Sequence, residues 1–77
     1  MKPTRLSDLK PGAWAVIARL PEGAPGLTRL REFGLLPGTR FQFVRRAPLG
    51  DPVEISVRGA LLSLRDTEAT LIEVDQV

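Results

Sequence analysis

Prolines and glycines interrupt this chain so often that no long regular element can form before Gly59. "KPG" at 10–12, "PEGAPG" at 21–26, "GLLPG" at 34–38 and "APLGDP" at 47–52 cut it into short apolar runs. Pro-Gly at 11–12 and again at 37–38 marks two similar turns, with Pro at the first corner and Gly at the second. A chain divided in this way is built from short strands and brief helical turns. Short strands avoid costly open edges by curling into a barrel.

The runs between the breakers have distinct periods. In "RLSDLKPG", Ser7 or Asp8 can start a short helical turn, with Leu6 and Leu9 on its inner side. "AWAVIARL", Ala13 to Leu20, is almost continuously apolar and reads as a strand covered on much of both faces. "LTRLREF" places Leu27, Leu30 and Phe33 on one helical stripe, and Gly34 follows where a positive φ ends the last turn. In "RFQFVRR", Phe41 and Phe43 point one way and Gln42 and Val44 the other. "VEISVR" alternates cleanly, with Val53, Ile55 and Val57 facing a core. Arg58-Gly59 is a hairpin turn into "ALLSL"; "RDTEA" is a brief connection of about one helical turn, and "TLIEV" closes the chain as a strand. The expected fold is mainly β: one domain over 1–77, a small barrel of about five strands with a short helix inserted after the first.

Composition removes several kinds of function. The chain of 77 residues has no cysteine and no histidine, so it has neither a disulfide framework nor a thiolate or imidazole metal site. The ligands that remain are oxygens, which suit hard cations, and no EF-hand spacing of acids appears. No dedicated metal site and no cofactor are expected. Ser7, Ser56 and Ser63 lack an adjacent His or Cys partner, and Glu54, Asp66 and Glu68 fall at solvent-facing or turn positions. An enzyme is therefore not expected. No apolar run reaches the ~18–20 residues of a membrane span, and the N-terminus has no apolar signal segment, so a soluble cytoplasmic protein is expected.

Arginines are the one remaining charge feature. Arg40, Arg45, Arg46, Arg58 and Arg65 could gather on one side of a barrel, which gives an alternative reading as an RNA- or DNA-binding domain. Acidic residues are interleaved with them, and a net charge of +2 supplies little attraction for phosphates. Stable nucleic-acid binding is not expected. With no Tyr and a single Trp, an aromatic groove for proline-rich peptides is not credible either.

From Leu27 to Val74 the order of "GLLPG", "APLGDPVEI", "LSLR" and "TLIEV" resembles the FeoA family, the small component of bacterial ferrous-iron uptake. "RLSDLKPG" is similar to that family's opening Leu-x-x-Leu-x-x-Gly pattern. The resemblance covers nearly the whole chain. It implies an SH3-like barrel with a helical insertion. It also implies a non-enzymatic accessory role beside FeoB, a membrane transporter with a cytoplasmic GTP-binding domain. Small barrels with exposed edges can pair, so a monomer or a weak homo-oligomer is expected. The resemblance carries over Leu49, Gly50, Asp51 and Pro52 as a motif and Arg65 in the matching Leu-Arg pair, and these five are the candidate partner contacts. Arg65 could donate to a carbonyl or to a partner carboxylate.

Leu49 stays open between two roles. Pro48, Gly50, Asp51 and Pro52 all have turn or strand-start geometry to explain them, but a turn needs no leucine. Leu49 either plugs an open end of the barrel or stands out as a contact for a partner, and its exposure decides which.

Overall fold

Period-two alternation builds the middle of the molecule. The computed structural model describes residues 3–24 and 26–77. Strand β1 is Thr4–Arg5, followed by a 3-10 turn at Leu6–Asp8; β2 is Trp14–Arg19, helix α1 is Leu27–Phe33, and β3 is Arg40–Arg46. Then come β4 at Val53–Val57, β5 at Ala60–Leu64, the single-turn helix α2 at Asp66–Ala69, and β6 at Glu73–Gln76. The strands form one antiparallel sheet in the order β1-β6-β2-β3-β4-β5, curled round one core within 29 × 25 × 25 Å.

The core holds the residues that the periodicities select. Phe41, Phe43, Val53, Ile55, Val57, Ile17, Leu6, Leu9, Leu27 and Leu30 are all buried. The two Pro-Gly turns are alike: Gly12 and Gly38 have φ of 90° and 92°, and Ala13 and Thr39 close them by donating to the carbonyls of Lys10 and Leu36. Helix α1 ends as its sequence requires. Gly34 takes φ 108°, and the Leu35 N–H reaches back to the Leu30 carbonyl, which brings the buried Leu35 against Leu30.

Four expectations need correction. The sheet has six strands, because the two residues Thr4–Arg5 pair with Val74 and Glu73; the helical insertion therefore follows the second strand. Strand β2 is covered on one face only, with Ala15 and Ile17 inward and Trp14 exposed; its apolar content exceeded what one inner face can bury. Phe33, at the end of α1, is 41% exposed, because a seven-residue helix makes too few turns to bury three stripe positions against a small core. The last strand starts at Glu73, since Thr70 to Ile72 complete the turn after α2.

Candidate functional site

The corner between β3 and β4 combines a tight backbone with one outstanding side chain. The Gly50 N–H donates to the Ala47 carbonyl at 2.7 Å, and the Ala47 N–H to the Pro52 carbonyl at 3.0 Å. Gly50 has φ 92°, which a side chain would resist, and the Asp51-Pro52 peptide is cis. Leu49 at the tip is 97% exposed. The barrel-plug role is thereby removed: a side chain this exposed does not enter the core.

Arg46 braces the corner from below. Its Nη1 donates to the Gly50 carbonyl at 3.4 Å and to Asp66 Oδ1 at 2.8 Å; its Nη2 donates to the Ser7 carbonyl at 2.6 Å. Its guanidinium lies 5.6 Å from the centre of the Phe43 ring. One planar fork thus ties three segments: the corner, the start of α2 and the 3-10 turn. A second tie runs from the Asp66 N–H to Asp51 Oδ1 at 3.0 Å. It places Arg65, exposed at the N-cap of α2, next to the corner. The five candidate residues Leu49, Gly50, Asp51, Pro52 and Arg65 therefore lie in one region. Their roles differ: Asp51 and Gly50 supply acceptors to the brace, while Leu49 and the Arg65 side chain project outward. No side-chain hydrogen bond of Arg65 occurs among the described residues; its backbone N–H donates to Glu68.

Sequence reasoning missed the brace. Arg46 and Asp66 are 20 residues apart and Arg46 and Ser7 are 39 apart, and no local spacing announces such bonds. Replacing Arg46 with methionine keeps the packing over Phe43 and removes all three bonds. The expected loss is about 1–2 kcal/mol, or about 4–15 °C in melting temperature by thermal denaturation.

Several of the other arginines are paired or stacked within the molecule. Arg45 pairs with Glu54, Arg19 with Glu73 and Arg29 with Glu68, while Arg40 lies over the Trp14 ring at 5.0 Å. Phe41 and Phe43 are fully buried and offer no stacking surface. Glu68 lies in the short helical connection, one of the solvent-facing or turn positions expected for it, yet it is only 7% exposed. It is held there by the Arg65 N–H at 2.8 Å and by Arg29 Nη2 at 3.0 Å. Among the described residues no three His, Cys, Asp or Glu side chains come together as metal ligands, and no helix is long and apolar enough to cross a membrane.

The family model for the FeoA domain matches residues 4–76. The chain belongs to the FeoA family. That family is associated with ferrous iron transport. A relative from Porphyromonas gingivalis, an Fe(2+) transport protein A/Fe(2+) transporter FeoB fusion protein, is 37% identical over 73 residues. The match takes in 95% of this chain and 9% of that protein, so the chain spans a small part of the relative's length. The solution structure of FeoA from Chlorobium tepidum is 37% identical, with a TM-score of 0.87 over 96% of this chain and 70% of that one. The zinc complex of Stenotrophomonas maltophilia FeoA, described as a prokaryotic SH3 domain protein, is 29% identical, with a TM-score of 0.78 over 94% of this chain and 89% of that one. The six-stranded antiparallel sheet is thus the SH3-like fold of FeoA proteins.

Proposed function

We propose that this FeoA-family chain is a non-enzymatic accessory protein of ferrous iron uptake that binds the cytoplasmic part of a FeoB-type transporter and modulates it. The observation that carries this reading is the Porphyromonas gingivalis relative, in which a matching stretch belongs to one polypeptide with FeoB. A domain joined to its partner in one chain works at high effective concentration. Joined or separate, such a domain contacts its partner through its own surface.

The corner is suited to that. Leu49 offers an apolar knob, Arg65 beside it offers a cation, and Gly50, Asp51 and Pro52 hold the backbone that carries them. Because Arg46 and Asp66 already fix this backbone, docking orders little that was loose, which favours affinity. Modulation follows if the transporter's conformations present different surfaces to the corner, since a ligand shifts an equilibrium by its differential affinity. The Stenotrophomonas maltophilia protein, put forward as a ferrous iron transport activating factor, gives a parallel for such a role.

Calorimetric titration of the purified chain into the cytoplasmic region of a FeoB-type transporter, with and without GTP, tests this. Saturable binding in at least one nucleotide state is expected. Absence of heat and of complex in both states, for the isolated region and for the detergent-solubilised transporter, overturns the proposal.

A further inference from the structure

The sheet has two end strands, and they are protected very differently. Strand β1 has only two residues, too short to template another strand. Strand β5 runs from Ala60 to Leu64 with no proline, no charge and no bulge; its register with β4 is unbroken, whereas the β2–β6 and β3–β4 pairings both shift. No proline, charge or bulge blunts the edge within the strand itself; from outside, Arg29 of α1 reaches over it to the Ser63 carbonyl.

The register shows which groups face outward. The two-residue turn at Arg58-Gly59 makes Val57 and Ala60 a hydrogen-bonded pair, so Ala60, Leu62 and Leu64 bond inward to β4. Leu61 and Ser63 then point their backbone groups away from the sheet. The Ser63 carbonyl does so visibly, accepting from Arg29 Nη2 at 3.2 Å. Among the described residues nothing bonds to the Leu61 N–H, the Leu61 carbonyl or the Ser63 N–H. The Leu61 side chain is 63% exposed beside them.

Two arginines bracket this edge. Arg58 stands just before Ala60 and Arg65 just after Leu64, about 13–20 Å apart. Neither belongs to any of the four ion pairs among the described residues. Arg58 donates to the Phe33 carbonyl at the C-terminal end of α1 and has no carboxylate partner among the described residues. This arrangement argues against a second copy as the occupant. Antiparallel pairing of β5 with itself brings Arg58 of one copy beside Arg65 of the other at both ends. A five-residue contact also buries far less than the ~1,200 Å² of a stable interface.

We propose that the outer edge of β5 takes an extended partner segment as an added strand, apolar in its middle and acidic at both ends. The main-chain bonds come from the Leu61 N–H and carbonyl and from the Ser63 N–H, the Ser63 carbonyl being held by Arg29; the apolar contact comes from the Leu61 side chain, and the end selectivity from Arg58 and Arg65. The inference rests on reading this domain as a docking module and names the segment it recognises.

Its test needs no transporter, so its failure is separable from a failure of transporter binding. The probe is a synthetic Val-Thr-Val-Thr-Val peptide with two aspartates at each end, compared with the same peptide flanked by lysines. Amide exchange and NMR titration of the intact chain are the readouts. The aspartate peptide is expected to slow exchange at Leu61 and Ser63 and to bind more tightly than the lysine peptide. Ser63→Pro deletes no bond to β4 and is expected to abolish binding. Arg65→Glu, whose native side chain bonds nothing here, is expected to weaken the aspartate peptide about two- to fivefold and to improve the lysine peptide. Equal affinity for the two peptides, shifts without protection at Leu61 and Ser63, or an Arg65→Glu chain with unchanged preference overturns the proposal. So does concentration-dependent protection of the same amides without peptide, which would make a second copy the occupant.

Discussion

Leu49→Asp leaves the melting temperature of the domain within a few degrees and weakens binding to the cytoplasmic region of a FeoB-type transporter at least tenfold. The first half follows from position. A side chain that is 97% exposed loses no burial when replaced, and surface substitutions of that kind stay within about 0.5 kcal/mol. The second half follows from what a partner would desolvate. Burying a leucine is worth about 1.5–3 kcal/mol, which is about 10- to 150-fold in affinity. A carboxylate at the same place would have to be desolvated instead. Leu49→Met, which keeps the apolar volume, is expected to retain most of the affinity. Calorimetry gives the affinities and circular dichroism the melting curves. Loss of binding smaller than threefold for Leu49→Asp removes the corner from the docking surface.

The parts of this fold that were legible in the sequence are those governed by local period. Val53, Ile55 and Val57 alternate with Glu54, Ser56 and Arg58, and β4 could be nothing else. Phe41 and Phe43 reveal the inner face of β3 for the same reason. Pro-Gly at 11–12 and 37–38 reports its own turns because the required φ values are a property of the dipeptide. Strand β2 was misread on its coverage, since an apolar run carries no period to say which side is wet. The two residues of β1 were invisible because Thr4–Arg5 becomes a strand only by pairing with β6 across the whole length of the chain.

The candidate site divides along the same line. That a corner lies at Ala47 to Pro52 follows from its Pro, Gly and Asp. That Leu49 points outward does not, because a turn leucine has no neighbours in a repeating pattern to fix its side. The backbone that carries it is braced by Arg46, whose partners are Ser7, Gly50 and Asp66 on three segments. Bonds of that kind depend on tertiary placement, and a single sequence holds no record of them.

Glu68 shows the consequence most sharply, and Glu68→Ala is expected to be the most damaging of the single changes considered for stability. Its Oε1 accepts from the Arg65 N–H, closing the first turn of α2, and from Arg29 of α1. The same device appears at the 3-10 turn, where Asp8 accepts from the Arg5 N–H at 3.0 Å. Glu68 does more, because its other oxygen, Oε2, occupies the space beside Gly26 at the start of α1. One buried carboxylate thus joins α2 to α1 across the end of the barrel. Removing it leaves a buried gap, an unpaired N–H and a partly exposed arginine without its partner. The expected cost is about 2–3 kcal/mol. For a chain of this length total stability is about 4–12 kcal/mol, so the melting temperature should fall by about 10–20 °C. Gly26→Ala supplies the discriminating partner. In the native chain the added methyl meets Glu68 Oε2, which cannot swing aside without breaking the two bonds to Oε1, and the φ of 86° adds backbone strain. In a Glu68→Ala background only the strain remains. The double variant should therefore lose less stability than the two single losses added together, by about 1 kcal/mol in denaturant unfolding. Strict additivity would show that Glu68 and Gly26 act independently and would dissolve the link between the two helices.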